Sequence, residues 1–180
     1  MNVICYGDSN TYGYDAQSQF GGRFDADCRW VDILANKTGW NIYNEGINGQ
    51  EIPSSQISVP DDTHLLIVML GSNDLLQGNC VSEITKRMER FLSGLELESS
   101  RILLIAPPSM CRGEWVTNQE LISASKELAK QYRALAMRLG VRFADAGKWD
   151  IPITYDGVHF TKAGHKIFAE RLYELLYEKG

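Results

Sequence analysis

Strand-length apolar segments alternate along this chain with segments whose apolar residues recur every three or four positions. The apolar segments carry little polar alternation, which is typical of parallel strands buried on both faces. Predicted strands cover Val3–Tyr6, Asn41–Tyr43, Leu65–Leu70, Arg101–Ala106 and Val141–Ala144, and predicted helices cover Trp30–Lys37, Cys80–Leu97, Gln119–Leu139 and Thr161–Glu178. This alternation constrains the fold more than any other feature, because it predicts a parallel sheet with helices on both faces.

The chain of 180 residues has the size of one domain, and we expect residues 1–180 to form a single unit. Its net charge is -5 and its 18 Lys and Arg are scattered, which argues against a nucleic-acid partner. The longest apolar run, Leu65–Leu70, is far shorter than the roughly 20 residues that cross a bilayer. Gly7 and Asp8 interrupt the first apolar run too early for a signal peptide. We therefore expect a cytoplasmic protein without a membrane partner.

The cysteines predict neither disulfides nor a metal cluster. Cys5, Cys28, Cys80 and Cys111 are widely spaced and form no CxxC pair. No two His or Cys residues stand at the spacing of metal ligands. We expect free thiols and no bound metal.

Four short polar blocks lie at or just beyond predicted ends of strands and helices. They are Gly7-Asp8-Ser9, Asn44–Gly49, Gly71–Asp74 and Asp156–His159. Because parallel strands point the same way, their carboxyl ends share one edge of the sheet, where open α/β sheets bind ligands. We therefore expect blocks that are far apart in the sequence to meet at this edge.

The residue types in these blocks are those that acyl transfer needs. A serine such as Ser9 becomes a good nucleophile when a histidine takes its proton and a carboxylate holds the other ring nitrogen, as His159 and Asp156 could do. Backbone N–H groups of Ser9 and Gly49 and the amide of Asn73 could stabilise the oxyanion. Taken singly, each residue has a structural alternative: Ser9 and Asn73 could cap helices, and Gly49 and Asp156 could serve turns.

The four blocks together resemble those of the SGNH hydrolases, also called GDSL esterases and lipases. The resemblance implies that Ser9 is the nucleophile, that Gly49 and Asn73 join Ser9 in the oxyanion hole, and that Asp156 and His159 complete a catalytic triad.

Two further stretches look like the arylesterase and acyltransferase branch of that family. They are Arg29-Trp30 and the sequence NEGINGQ at positions 44–50. One departure is visible, because Asn10 stands where the family name has Leu. We expect this position to lie outside the chemistry.

Two irregular segments, residues 12–29 and 107–117, are the expected walls of the site, because each follows the carboxyl end of a strand. Trp30, Trp115 and Trp149 lie in or beside the segments expected to wall the site, and the chain has no long apolar lid. A short acyl group of about two to six carbons is therefore expected, since each buried methylene gains only about 0.8 kcal/mol where there is room for it.

The predicted fold is a three-layer α/β/α sandwich around a five-stranded parallel sheet in the flavodoxin-like order 2-1-3-4-5. The predicted activity is hydrolysis of a small carboxylic ester through an acyl-serine intermediate, without metal or organic cofactor. One alternative is acyl transfer to an alcohol by the same site. A different class of alternative is a flavodoxin-like module that binds phosphate or flavin at Gly7–Gly13, although the carboxylate of Asp8 would repel such a ligand. Association into a homo-oligomer stays open.

Overall fold

A computed structural model of the chain describes residues 1–19 and 21–177, and its five strands form one parallel sheet. The strands run in the order β2-β1-β3-β4-β5, which confirms the predicted order 2-1-3-4-5. Their bounds are Asn2–Gly7 for β1, Asn41–Gly46 for β2, Leu65–Met69 for β3, Ile102–Ala106 for β4 and Arg142–Asp145 for β5.

Four of the six α-helices coincide with the predicted amphipathic segments. The helices are α1 over Ser9–Tyr12, α2 over Trp30–Thr38, α3 over Ser72–Leu76, α4 over Val81–Ser93, α5 over Gln119–Leu139 and α6 over Lys162–Tyr177. Helix α4 ends four residues earlier than expected, because the chain leaves the helix at Gly94. The last residue of the predicted final helix, Glu178, lies outside the described residues.

Helices cover both faces of the sheet, as the predicted three-layer sandwich requires. Leu66, Val68 and Leu104 pack on one face with α4 and α5, and Val3 and Ile67 pack on the other with α2 and α6. Every residue of β3 and β4 is buried, which explains why those two strands read as continuous apolar runs. In the part of the chain that the structure describes, no helix is long and apolar enough to cross a membrane.

Strand β2 is three residues longer than the sequence predicted, because its carboxyl half is polar. It lies at the edge of the sheet and pairs with β1 as far as Gly46, opposite Gly7. A Cβ atom at Gly46 would collide with the backbone of Thr11 and Tyr12. Glycine at this position therefore lets α1 pack directly on the end of β2.

Candidate active site

The first polar block forms a tight strand-to-helix turn that presents Ser9 at the carboxyl edge of the sheet. Strand β1 ends at Gly7, and Ser9 is the first residue of α1. The side chain of Asp8 accepts a hydrogen bond from the Asn10 backbone N–H at 2.9 Å, so Asp8 and not Ser9 caps the helix. The Ser9 hydroxyl is therefore not needed for capping.

The structure brings Ser9, His159 and Asp156 together as one hydrogen-bonded chain. Ser9 Oγ lies 2.9 Å from His159 Nε2, and His159 Nδ1 lies 2.7 Å from Asp156 Oδ2. All three side chains are buried. The arrangement spans 150 residues of sequence between nucleophile and histidine, and it depends on the loop between β5 and α6 folding back over the start of α1.

Hydrogen bonds keep Asp156 ionised although it is buried. Burial by itself would raise the pKa of this carboxyl group. The His159 ring and the backbone N–H groups of His159 and Val158 donate to the carboxylate, at 2.9 Å and 2.8 Å for the two backbone groups, and together hold the pKa well below its usual range. Asp156 can therefore hold the histidine ring and stabilise a positive charge on it.

The net pKa shift of Asp8 is opposite to that of Asp156. Desolvation raises its pKa to about 6, and the hydrogen bond from the Asn10 N–H only partly offsets this effect. An unfolded aspartate releases its proton near 3.8, so the folded protein holds this proton over a range of pH in which the unfolded chain does not. The protonated Asp8 side chain therefore makes its full contribution to the free energy of unfolding below about pH 4. This contribution is lost as the pH rises to about 6.

We expect Asp8→Asn to become more stable relative to the wild-type protein as the pH rises from about 4 to about 6, by up to about 3 kcal/mol. The variant keeps the cap, because the Asn amide oxygen can accept from the Asn10 N–H, and removes the titration. Melting temperatures measured across this range test the expectation. Asp15→Asn, which alters a turn aspartate that also accepts from an N–H two residues on, is the matched control. A difference between Asp8→Asn and wild type that stays constant with pH would contradict it.

Gly49 and Asn73 line the same cavity as Ser9 and His159. The cavity has a volume of about 240 Å³. Gly49 has φ +74°, a left-handed conformation that favours glycine, and a Cβ there would meet no neighbouring atom within 4 Å. The constraint at Gly49 is therefore backbone geometry and not crowding.

Asn73 does not cap the helix in which it lies. Helix α3 has Gly71 at its N-cap position and Asn73 as its second residue. The Asn73 Nδ2 group donates one hydrogen bond to the Gln50 carbonyl at 3.0 Å. An amide nitrogen carries two hydrogens, so Asn73 can tie the segment after Gly49 to α3 and still offer one donor to the cavity.

The sequence did not predict an ion pair between the buried Asp74 and the half-buried Arg87, which lies against this segment. Asp74 accepts from the Ile52 N–H and pairs with Arg87 at 2.9 Å, and Arg87 donates to the Ile52 carbonyl at 2.7 Å. Burial raises the pKa of Asp74, with the Arg87 charge opposing the shift. No local pattern in the sequence links Arg87 on α4 to Asp74. The pair holds the chain that follows Gly49 in place, because both residues bond to Ile52.

Two aromatic rings flank His159 and form the walls of the cavity. The rings of Tyr14 and Trp115 lie with their centroids 4.8 and 4.9 Å from that of the histidine. Both segments predicted as walls thus contribute a residue. The loop that carries Trp115 is bound to the histidine loop, since the Trp115 N–H donates to the Asp156 carbonyl at 3.0 Å.

Trp30 and Trp149, which lie in or beside the segments predicted as walls, do not line the cavity. Both rings pack against Phe168 of α6 in the core. Trp30 is buried because α2 presents it to the core at the start of the helix. An aromatic residue beside an irregular segment packs inward unless that segment lies over a cavity, and the sequence does not distinguish the two cases.

The sequence profile of the GDSL-like lipase/acylhydrolase family matches residues 5–167, which contain all the residues that line this cavity. The chain belongs to this family. Carboxylic ester hydrolysis is therefore the class of reaction of this GDSL-like hydrolase, and the resemblance seen in the sequence is confirmed. A comparison with curated proteins finds no match.

Solved structures similar to this GDSL-like hydrolase cover nearly its whole length. A protein assigned as an arylesterase from Agrobacterium tumefaciens is 25% identical, with a TM-score of 0.84 and 98% of each chain covered. A carbohydrate acetylesterase family member from Sinorhizobium meliloti is 25% identical, with a TM-score of 0.82, covering 98% of this chain and 97% of the other. An M. smegmatis aryl esterase, 24% identical with a TM-score of 0.81 and 98% of each chain covered, shares the fold.

Among the described residues no group of three or more His, Cys, Asp or Glu is placed to hold a metal ion. Cys5 and Cys28 are buried, and Cys80 and Cys111 are exposed; all four are free thiols. His165 is buried beside Phe160 and accepts from the Trp30 N–H. His64 lies at the opposite end of the sheet, where its Nδ1 accepts from the Asn2 N–H.

Proposed function

We propose that the protein is a serine esterase that hydrolyses small carboxylic esters through an acyl-serine intermediate on Ser9. The observation that carries the proposal is the buried chain from Ser9 Oγ through the His159 ring to the Asp156 carboxylate, with distances of 2.9 and 2.7 Å. Each distance is within hydrogen-bond reach for a nucleophile, its base and the group that orients the base. A binding module of flavodoxin type would give this chain of contacts no role.

In the first half of the reaction His159 Nε2 takes the proton of Ser9 Oγ as the oxygen attacks the ester carbonyl. Asp156 holds Nδ1–H, which leaves the Nε2 lone pair directed at the serine, and stabilises the imidazolium that forms. His159 then gives the proton to the departing alcohol oxygen, leaving an acyl group on Ser9. In the second half His159 takes a proton from water as the water oxygen attacks the acyl carbon. The bond between that carbon and Ser9 Oγ then breaks, the carboxylic acid leaves, and His159 returns its proton to Ser9 Oγ.

Three donors beside Ser9 can stabilise the negative oxygen of the tetrahedral intermediates. The Ser9 N–H stands at the first position of α1, where a helix supplies no acceptor of its own. Gly49 and Asn73 line the same cavity, so the Gly49 N–H and the second hydrogen of Asn73 Nδ2 are the other two donors of the proposed oxyanion hole. Helix α1 has only four residues, so this stabilisation comes from individual N–H groups and not from a long helix dipole.

The access of water to the cavity favours hydrolysis over transfer to a second alcohol. Trp115, which lines the cavity, is 49% exposed, so water reaches the acyl-enzyme. The similar structures from A. tumefaciens and S. meliloti, an assigned arylesterase and a carbohydrate acetylesterase family member, support acetyl and aryl esters as the substrate class.

Labelling with a fluorophosphonate tests the nucleophile. We expect one adduct per chain, on Ser9, because a phosphonyl group forms a stable bond with the serine that the base activates. Mass spectrometry of a digest locates the adduct, and heat-unfolded protein is the control for adventitious reactivity. An adduct elsewhere on the folded protein, or none, would sink the proposed function.

We expect kcat/KM for p-nitrophenyl esters to be highest for acyl groups of about two to six carbons and to fall for longer ones. The cavity of about 240 Å³ that Ser9 lines accommodates a short acyl chain, so methylenes that extend beyond it stay in water and gain little. Rates across a series of even-numbered acyl chains check this, with acetylated sugars run in parallel. A steady rise up to long chains would contradict the expectation.

A further inference from the structure

We infer that Asn10 is a positioning residue. From the position next to Ser9, Asn10 aligns the base, His159, with the nucleophile. This inference rests on the proposed function and adds to it a residue that we expected to lie outside the chemistry. The side chain of Asn10 is buried at the interface between α1 and the loop that carries His159.

Asn10 binds the histidine loop on both sides of the histidine. Its Nδ2 group donates to the Val158 carbonyl at 3.2 Å, and its Oδ1 atom accepts from the Phe160 N–H at 2.9 Å. One amide therefore holds the residue before His159 and the residue after it.

Other backbone groups near His159 bond within the loop itself or to the segment that carries Trp115. Asp156 Oδ1 accepts from the N–H groups of Val158 and His159, and the Thr154 N–H donates to the His159 carbonyl at 2.7 Å. These contacts give the loop its internal shape but do not fix its distance from Ser9. The two bonds of Asn10 link the loop to α1 and so set that distance.

Asn10 is itself held firmly, which lets it act as a fixed reference. Its backbone N–H donates to Asp8 Oδ1 at 2.9 Å, and its carbonyl accepts from Trp30 Nε1 on α2 at 2.9 Å. Ser9, which precedes it, shares this rigid turn. Nucleophile and base are therefore aligned through adjacent residues, and an error of about 1 Å in such an alignment can lower a rate by about 10².

The substitution Asn10→Leu separates hydrogen bonding from packing. Leucine branches at the same carbon as asparagine and has nearly the same shape, so it fills the space and removes both bonds to the loop. We expect kcat per titrated active site to fall by about 10-fold or more. The cavity beside Ser9 keeps its lining residues, so KM should change by less than about threefold. Asn10→Ala, which also lacks both bonds, is the second variant in case the leucine protein does not fold.

A double-mutant cycle with His159→Ala separates positioning from mere structural support. If Asn10 acts through the histidine, Asn10→Leu should change the residual rate of the His159→Ala protein by less than about twofold. The bonds of Asn10 go to backbone atoms of residues 158 and 160, so they persist in that background. A structural role would lower both rates by the same factor.

Ile102→Val provides the stability control. Ile102 is buried at the start of β4, at the opposite end of the sheet from Ser9, and its truncation lowers the melting temperature without touching the site. We expect it to keep the wild-type kcat. Wild-type kcat in Asn10→Leu, or equal losses in both backgrounds of the cycle, would overturn the role of Asn10 while leaving Ser9 labelling intact. Absent Ser9 labelling in the wild-type protein would instead overturn the proposed function.

Discussion

Asp156→Asn is expected to lower kcat by about 10⁴-fold while the protein stays folded. Asp156 Oδ1 accepts from the Val158 and His159 N–H groups, and the asparagine oxygen can keep both bonds. The amide nitrogen would then replace Oδ2 at 2.7 Å from His159 Nδ1 and donate to it. That contact forces the ring proton onto Nε2. Nε2 then points an N–H group at Ser9 and has no lone pair with which to take the serine proton.

Asp145→Asn is the matched control for this prediction. Asp145 ends β5 and its Oδ1 atom also accepts from an N–H two residues on, that of Gly147, but it lies outside the ester cavity. Rates and melting temperatures of both variants should show an unchanged kcat for Asp145→Asn and an inactive but folded Asp156→Asn. A loss below about 10-fold in Asp156→Asn would show that His159 does not need the carboxylate to act as base.

Asn73→Ala is expected to lower kcat by about 10² to 10³, and Asn73→Asp by at least as much. Alanine removes the amide donor that we propose for the oxyanion. Aspartate places a carboxylate where negative charge develops and also sets it against the Gln50 carbonyl, which now accepts from Asn73 Nδ2 at 3.0 Å. The loss of that bond should cost only about 1 kcal/mol of stability.

Asn79→Ala distinguishes the catalytic contribution of an amide from its structural one. Asn79 Nδ2 also donates to a backbone carbonyl, that of Asp74 at 3.0 Å, and it does not line the cavity. Both alanine variants should show similar falls in melting temperature, whereas kcat should fall only for Asn73→Ala. An active Asn73→Asp enzyme would remove Asn73 from the oxyanion hole.

The edge strand shows where sequence patterns lose power in this fold. Residues 44–46 pair with β1, but Asn44 and Glu45 are polar and Gly46 has no side chain, because an edge strand is half-exposed and has no need of an apolar run. The helices α1 and α3 are only four and five residues long, too short for an apolar period to appear. Both features lie at the carboxyl edge of the sheet, where the residues that line the cavity are concentrated.

The sequence by itself determined the layers of the fold, because burial on both faces leaves apolar runs and helical periods along the chain. The order of the strands was implied by the resemblance to the SGNH hydrolases. The sequence also determined which residue types meet at the carboxyl edge, since parallel strands bring their ends together wherever they lie in the chain. Only the tertiary structure decided how Ser9 and His159 are aligned. Their alignment depends on Asn10 and Trp30, and the position of the segment after Gly49 depends on the Asp74–Arg87 pair. These contacts join separate elements and leave no local pattern in the sequence.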